Sequence, residues 1–294
     1  MTDLIAARQQ YAETICQRAG VRSAAVVHAF ATVAREHYLG PGPWQIFDPG
    51  AFNTPDSARS LYRPTPNADP IHLYQDALIA IDTTRFLNNG QPSAHALWID
   101  ALDPHQGDHL VHIGCGTGYF TAVMAEIVGS SGRVTAIEID PELASRARTN
   151  LAGCSNVQVV EASGCTFDFG AADAIYINAG ATHPLPLWLD RLDVGGRLTV
   201  PLVRWPGNPR EASASGCGVL IKVTRDTDGY AARVVSLVGI FPCIGAVDPE
   251  ADQFLSEAFA RGIDAGQKLV LRRDQHGRRP ACWLHGDGYC FAVD

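Results

Sequence analysis

Three glycines in five residues, Gly114-Cys115-Gly116-Thr117-Gly118, follow the apolar run Leu110-Val111-His112-Ile113 and precede a stretch at helical spacing, Phe120 to Val128. Strand, glycine turn and helix in that order place backbone N–H groups at the edge of a sheet, where a ligand can lie against them. Glycine suits the turn because it takes positive φ and lacks a Cβ that would hold the ligand away. Cys115 and Thr117 serve as compact spacers. Roughly twenty residues further on, Val134-Thr135-Ala136-Ile137 ends in Glu138, with Ile139 beside it. A carboxylate at that point can accept hydrogen bonds from both hydroxyls of a ribose. The third glycine comes one residue sooner than in the Gly-x-Gly-x-x-Gly turn that clears a pyrophosphate. The spacing therefore favours S-adenosyl-L-methionine, which has no phosphate, over NAD.

Methyl transfer from such a donor, leaving S-adenosyl-L-homocysteine, is an in-line displacement. A carboxylate acceptor is already nucleophilic at neutral pH and needs mainly alignment and desolvation. The chain has no evident Ser-His-Asp or paired-carboxylate arrangement, which fits that chemistry. A hydroxyl or amine acceptor would need a base, and His95 and His183 are the candidates. His183 follows the apolar run Ala174-Ile175-Tyr176-Ile177 within Asn178-Ala179-Gly180-Ala181-Thr182-His183-Pro184, on the same sheet edge as the glycine turn. Asn178 ends that strand, with its amide in reach of ligand or backbone. His112 is either a contact of the donor's methionine part or a core histidine. His285 and Asp287 read as turn residues between strands. The eight cysteines form no Cys-x-x-Cys pair and no Cys/His grouping at zinc spacing, so neither a disulfide framework nor a metal site is expected.

The elements that must carry these residues alternate. Apolar runs at 110–113, 134–137, 157–160, 174–177 and 198–200 are separated by helical stretches at 120–128, 143–151 and 185–192. This predicts an α/β fold, a Rossmann-like doubly wound sheet of the class I methyltransferase type over residues 101–203. Residues 1–100 are expected to form a cap: two short helices broken at Gly20, then a segment where Pro41, Pro43, Pro49, Pro55, Pro64, Pro66 and Pro70 interleave with Trp44, Phe47, Phe52 and Tyr62. That composition forbids long regular structure and suits a loop folded over a site. Residues 204–294 read as an antiparallel extension, with strands at 218–224, 231–238 and 282–293 and one helix at 252–261.

A net charge of −8 without any run of Lys and Arg argues against nucleic-acid or anionic-lipid partners. No stretch approaches the ~18–20 apolar residues of a membrane span, and Met1 to Gln10 lacks the pattern of an export signal. A soluble, cytoplasmic protein is expected.

Several further segments carry a family pattern. Phe30-Ala31-Thr32-Val33-Ala34-Arg35-Glu36-His37-Tyr38-Leu39, Leu73-Tyr74-Gln75-Asp76, Gly90-Gln91-Pro92-Ser93, His112 to Tyr119, Asp173 to Ala179, Leu192 to Pro201 and Val238-Gly239-Ile240-Phe241-Pro242-Cys243-Ile244-Gly245 occur in that order. Together they resemble the protein-L-isoaspartate O-methyltransferases. The resemblance implies a methyl ester formed on an aspartyl or isoaspartyl carboxylate of a peptide or protein. It assigns donor contacts to the glycine turn, Tyr119, Glu138, Ile139, Ser163, Asn178 and His112, and an acceptor contact to Ser93. Three departures stand out: Pro92-Ser93-Ala94-His95 replaces Thr-Ile-Ser-x-Pro, His112 replaces an acid, and Ala162-Ser163-Gly164 replaces Gly-Asp-Gly. They leave open a small metabolite or modified natural-product peptide as acceptor, and a protein that binds the donor or its product without turnover.

Overall fold

The structure, a computed structural model, describes residues 3–48, 61–205 and 216–293; Pro49, Phe52 and Pro55 of the proline-rich segment lie outside them. Helix α1 (Leu4–Ala19) starts on Asp3, whose carboxylate accepts from Ile5 and Ala6 N–H, and stops at Gly20, which supplies the left-handed residue at its end. Helix α2 (Ala24–Thr32) is capped by Ser23. Among its described residues the proline-rich stretch holds a short antiparallel pair, β1 (Gln45–Phe47) with β2 (Tyr62–Pro64), and leads into a 3-10 turn at Pro70–Leu73; a second pair, β3 (Ala80–Asp82) with β4 (Leu87–Asn88), follows. Helix α3 (Pro92–Leu102) then leads to the main sheet.

That sheet begins with β5 (His109–Ile113), α4 (Tyr119–Val128), β6 (Arg133–Glu138), α5 (Pro141–Asn150), β7 (Val157–Glu161), β8 (Ala172–Ile177), the short α6 (Pro186–Asp190) and β9 (Leu192–Arg204). These five strands are parallel, in the order β7-β6-β5-β8-β9. The chain winds outward from β5 to β7 and returns to the other side of β5, so the order reverses there. Side chains alternate between the faces. Leu110, Val134, Ala136, Ala174 and Tyr176 pack against α1 to α4, while Val111, Ile113, Ile137, Ile175 and Ile177 pack against Trp188 of α6 and, beyond it, Leu255.

Five antiparallel strands continue the same sheet: β10 (Gly216–Asp226), β11 (Gly229–Ile240), β12 (Lys268–Arg272), β13 (Cys282–Gly286) and β14 (Tyr289–Val293), with α7 (Pro249–Ala260) after β11. The expected extension is therefore present, and the run at 282–293 is a hairpin. The helix expected at 252–261 starts earlier because Asp248 caps it and Pro249 fits its first turn. The boundaries expected after residues 100 and 203 fall inside α3 and β9. Among the described residues no helix is long and apolar enough to cross a membrane.

Arg35, just past α2, is 0% exposed. Its Nη1 donates to the carbonyls of Leu73 (2.7 Å) and Gln75 (3.0 Å), and its Nη2 to the Ala77 carbonyl (2.8 Å) and Asn89 Oδ1 (3.2 Å). The rings of Tyr11 and Tyr119 lie about the guanidinium at 5.9 and 6.0 Å. One buried cation thus fixes the irregular segment 73–89, which has little core of its own. Because each hydrogen bond to a charged group is worth about 1.5–3 kcal/mol, Arg35→Met is expected to cost about 3 kcal/mol or more in urea unfolding. Hydrogen exchange over residues 73–89 should accelerate with it. Unchanged stability and exchange would show that the segment is held by something else.

Candidate active site

The reversal of strand order leaves a cleft of about 460 Å³ beyond the carboxyl ends of β5, β6 and β8. Its far wall is the β3–β4 hairpin, through Ile81, Arg85, Leu87 and Asn88, together with Phe241 to Ile244 after β11. The glycine turn is bonded to β6: Gly114 and Cys115 N–H donate to the Ile137 carbonyl (2.9 and 3.2 Å), and Gly116 N–H donates to Glu138 Oε2 (2.8 Å). At Gly114 (φ +77°) a side chain would be strained and its Cβ would crowd the Asn178 carbonyl at 3.1 Å; at Gly116 (φ +57°) a Cβ would meet open space. Asn178 Nδ2 closes the β5–β8 side by donating to the Gly114 carbonyl (3.1 Å).

Glu138 is buried, and its Oε1 accepts from Asp140 N–H at 3.1 Å. Burial raises its pKa, opposed by the N–H groups of Asp140, Gly116 and Ile139. Each oxygen keeps a further lone pair for a ligand hydroxyl. Asp140 caps α5 and also forms an ion pair with Arg85, which ties the hairpin across the cleft to the start of that helix. Ile139 is 41% exposed and Ile244 66% exposed, so both present uncovered apolar surface to the cleft. Near its rim Cys165 Sγ lies 3.7 Å from Cys243 Sγ.

Of the residues singled out from sequence, Gly114, Gly116, Glu138, Ile139, Ser163 and Asn178 line the cleft. Cys115, Thr117 and Gly118 complete the turn behind it, with the Thr117 carbonyl accepting from Asn150 Nδ2 (2.9 Å). The others lie elsewhere. Tyr119 turns into the cap, its hydroxyl 3.4 Å from that of Tyr11. His112 belongs to the core: it shares the face of β5 with Leu110, is fully buried, and bonds through Nδ1 to Thr121 Oγ1 (2.8 Å). His95 is also a core residue, stacked on Phe120 at 3.6 Å and bonded through Nδ1 to the Tyr176 hydroxyl (2.7 Å). Neither its burial nor its position suits a base at the cleft. Ser93 gives both its N–H and hydroxyl to Asp76 (2.9 and 2.7 Å) in the first turn of α3. His183 stacks on Tyr289 with ring centres 5.4 Å apart, and its Nδ1 lies 3.0 Å from Thr182 Oγ1; it is not part of the cleft wall.

Arg85, Asp140 and Ile244 were not anticipated. Asp140 was legible, since an Asp before Pro141 is a helix-start signal. Ile244 lies in the segment with the family pattern. Arg85 had no signal, because its place depends on a hairpin folded back over the sheet.

A family model for protein-L-isoaspartate(D-aspartate) O-methyltransferases matches residues 57–211. A protein-L-isoaspartate O-methyltransferase of Rhodopseudomonas palustris is 30% identical over 264 residues, covering 86% of this chain and 91% of that protein. The chain belongs to this family. A second relative of the same name, from Ignicoccus hospitalis, is 33% identical over 175 residues, covering 58% of this chain and 78% of its own length. Among solved structures, a protein-L-isoaspartate O-methyltransferase superposes with a TM-score of 0.62 at 20% identity, covering 98% of this chain and 88% of that one. A Plasmodium falciparum counterpart in complex with S-adenosyl-L-homocysteine gives 0.53 at 17% identity, covering 80% and 94%. Likeness at these identities bears on the fold, which is that of class I methyltransferases. Family membership makes the chain an S-adenosyl-L-methionine-dependent methyltransferase.

In this methyltransferase the two core histidines set a pH dependence of stability. Burial holds His95 well below its ordinary range and takes His112 to about 3. Both stay neutral in the folded state while the unfolded chain takes up protons near pH 6.5. Their stability is therefore present above pH 6.5 and is lost as pH falls below it, by up to about 1.4 kcal/mol per pH unit for each histidine. Urea unfolding between pH 7 and 5 should show this slope, and His112→Gln should make it shallower by one proton. Identical slopes in the two proteins would mean that His112 is already charged when folded.

Proposed function

We propose that the enzyme forms a methyl ester on the free carboxylate of an isoaspartyl or D-aspartyl residue in a peptide or protein, with S-adenosyl-L-methionine held between the glycine turn and Glu138. When bound, the donor supplies a methyl group on a positively charged sulfur. Glu138 would accept the ribose hydroxyls, Ile139 and Ile244 would offer apolar surface to the base, and Gly114 and Gly116 would let the donor approach the backbone. Ser163 and Asn178 border the same space. On the acceptor side, Asn88 lines the cleft, and its carboxamide oxygen accepts from Gly90 N–H at 3.0 Å. No proton-transfer role is proposed for His95 or His183.

Membership of the isoaspartyl methyltransferase family carries the carboxylate reading, and the lining of the cleft agrees with it. Among the described residues the titratable groups lining the cleft are Arg85, Glu138, Asp140 and Cys243. The first three are committed to one another or to backbone N–H groups, and the neighbouring Cys165, with burial, raises Cys243. A carboxylate acceptor needs no deprotonation, so alignment and exclusion of water suffice.

Incubation with methyl-labelled donor should place base-labile label on peptides containing isoaspartate and leave the matched aspartyl peptides unlabelled. Absence of label on every isoaspartyl and D-aspartyl peptide would overturn the acceptor assignment. Glu138→Gln, which loses charge-assisted hydrogen bonds, should weaken S-adenosyl-L-homocysteine binding roughly 10–100-fold by calorimetry. Unaltered affinity would remove Glu138 from the donor site.

A further inference from the structure

At the edge of the sheet opposite β7, four side chains converge that the methyl-transfer site does not use. His276, Cys282, His285 and Cys290 each bring a nitrogen or sulfur to within 4.8 Å of all the others, and Cys282 Sγ lies 3.8 Å from His276 Nε2. We propose that these four residues bind one Zn²⁺ in a closed, structural site. Neighbouring ligand atoms around a tetrahedral zinc with bonds of about 2.0–2.3 Å stand roughly 3.3–3.8 Å apart, so a small contraction of the cluster completes the shell.

The backbone is arranged to make this cluster. In a regular strand Cys282 and His285 would point to opposite faces. The register of β13 against β14 shifts between Cys282 and Leu284, so that Trp283 and Leu284 both enter the core. That irregularity turns Cys282 and His285 to the same outer face. His285 stands directly across from Cys290 in the ladder. Cys282, Cys290 and Ala292 form a separate apolar cluster of only three residues, too small to hold a sheet edge firmly.

The hydrogen bonds orient these side chains as ligands. His276 donates from Nδ1 to the Asp274 carbonyl (2.9 Å), with the Asp274 carboxylate 3.2 Å away, which turns Nε2 toward Cys282. Such a partner on the remote nitrogen orients an imidazole ligand and strengthens it. Nδ1 of His285 is buried with no partner, a costly state unless something binds there. Arg279 N–H donates to Cys282 Sγ at 3.2 Å, favouring the thiolate. Two thiolates and two neutral imidazoles suit zinc, and four protein ligands leave no open position for catalysis. Binding displaces the two thiol protons to solvent. The ion would fasten the segment before β13 to the last hairpin, including Tyr289 on which His183 stacks. The sequence expectation of no metal site rested on spacing along the chain. Here the grouping arises from a hairpin and its irregularity, with Cys282 and His285 as a Cys-x-x-His pair.

The full chain, purified without chelator, should contain about one zinc per chain by elemental analysis, and the Cys282→Ser/Cys290→Ser variant less than about a tenth of that. Cobalt substituted for zinc should show thiolate-to-metal charge transfer that Cys282→Ser abolishes, a readout independent of whether the variant is less stable. Chelation of the wild type should expose Cys282 and Cys290 to alkylation and leave S-adenosyl-L-homocysteine binding intact. Three results would overturn the proposal: no stoichiometric metal in the wild type even after zinc is added, equal zinc in the double variant, or a Cys282–Cys290 disulfide in the wild type purified under reducing conditions without chelator.

Discussion

The strand order of the sheet reverses beside β5, and the rest of the site follows from that constraint. The chains leaving β5 and β8 must diverge to reach helices on opposite faces, so neither can cover the space between the two strand ends. The glycine turn borders that crevice without a side chain at 114 or 116, its N–H groups bonded to the neighbouring strand: those of Gly114 and Cys115 to the Ile137 carbonyl and that of Gly116 to Glu138, which ends it. A sheet supplies only one wall of such a crevice. The second comes from elsewhere in sequence, from the β3–β4 hairpin on one side and residues 241–244 on the other. Neither piece has a large core of its own, and the hairpin segment is held largely by the buried Arg35.

Buried charge performs the same task at other junctions. Arg197 of β9 reaches the Asp108 carboxylate (2.6 Å) and the carbonyls of Asp103 (2.6 Å) and Asp173 (3.2 Å), joining β9 to the turn that precedes β5. Apolar contact is non-directional and would tolerate several placements of these irregular segments. A guanidinium with carbonyls to satisfy tolerates few, because each unmet donor carries a desolvation cost. Regular elements here are placed by their hydrophobic faces, and irregular ones by ionic hydrogen bonds.

This division explains what was legible in the sequence. The run from β5 through the glycine turn to Glu138 was readable because each step is a local signal: an apolar run, a turn that needs glycine, a strand ending in an acid. The same holds for the antiparallel extension. Tyr119 entered through the family pattern, His95 as a base for a hydroxyl or amine acceptor, and His112 as either a donor contact or a core residue, yet the faces of the two histidines were also readable. His112 alternates with Val111 and Ile113, and His95 falls on the helical stripe of Pro92, Ala96, Ile99 and Leu102. Applying the period of each element to these residues would have sent both histidines inward. Arg85 and the quartet of His276, Cys282, His285 and Cys290 were beyond such reasoning. Their positions depend on a hairpin folded over the sheet and on one register shift, neither of which leaves a periodic trace.

The electrostatics of the cleft suit the proposed transfer. A sulfonium and a carboxylate begin as opposite charges and end as a neutral thioether and a neutral ester. Water stabilises the separated charges more than the transition state in which they cancel, so a cleft that excludes water favours reaction. The exposed apolar surface of Ile139 and Ile244 provides such walls. Arg85 is the one cation among the described lining residues, and its pairing with Asp140 keeps it from repelling a positively charged donor. Glu138, desolvated and held by backbone N–H groups, gains from a nearby cation that offsets the burial raising its pKa. With the donor bound as proposed, its positive charge and the buried carboxylate would stabilise one another, and the cleft would hold a charged ligand without a second free charge.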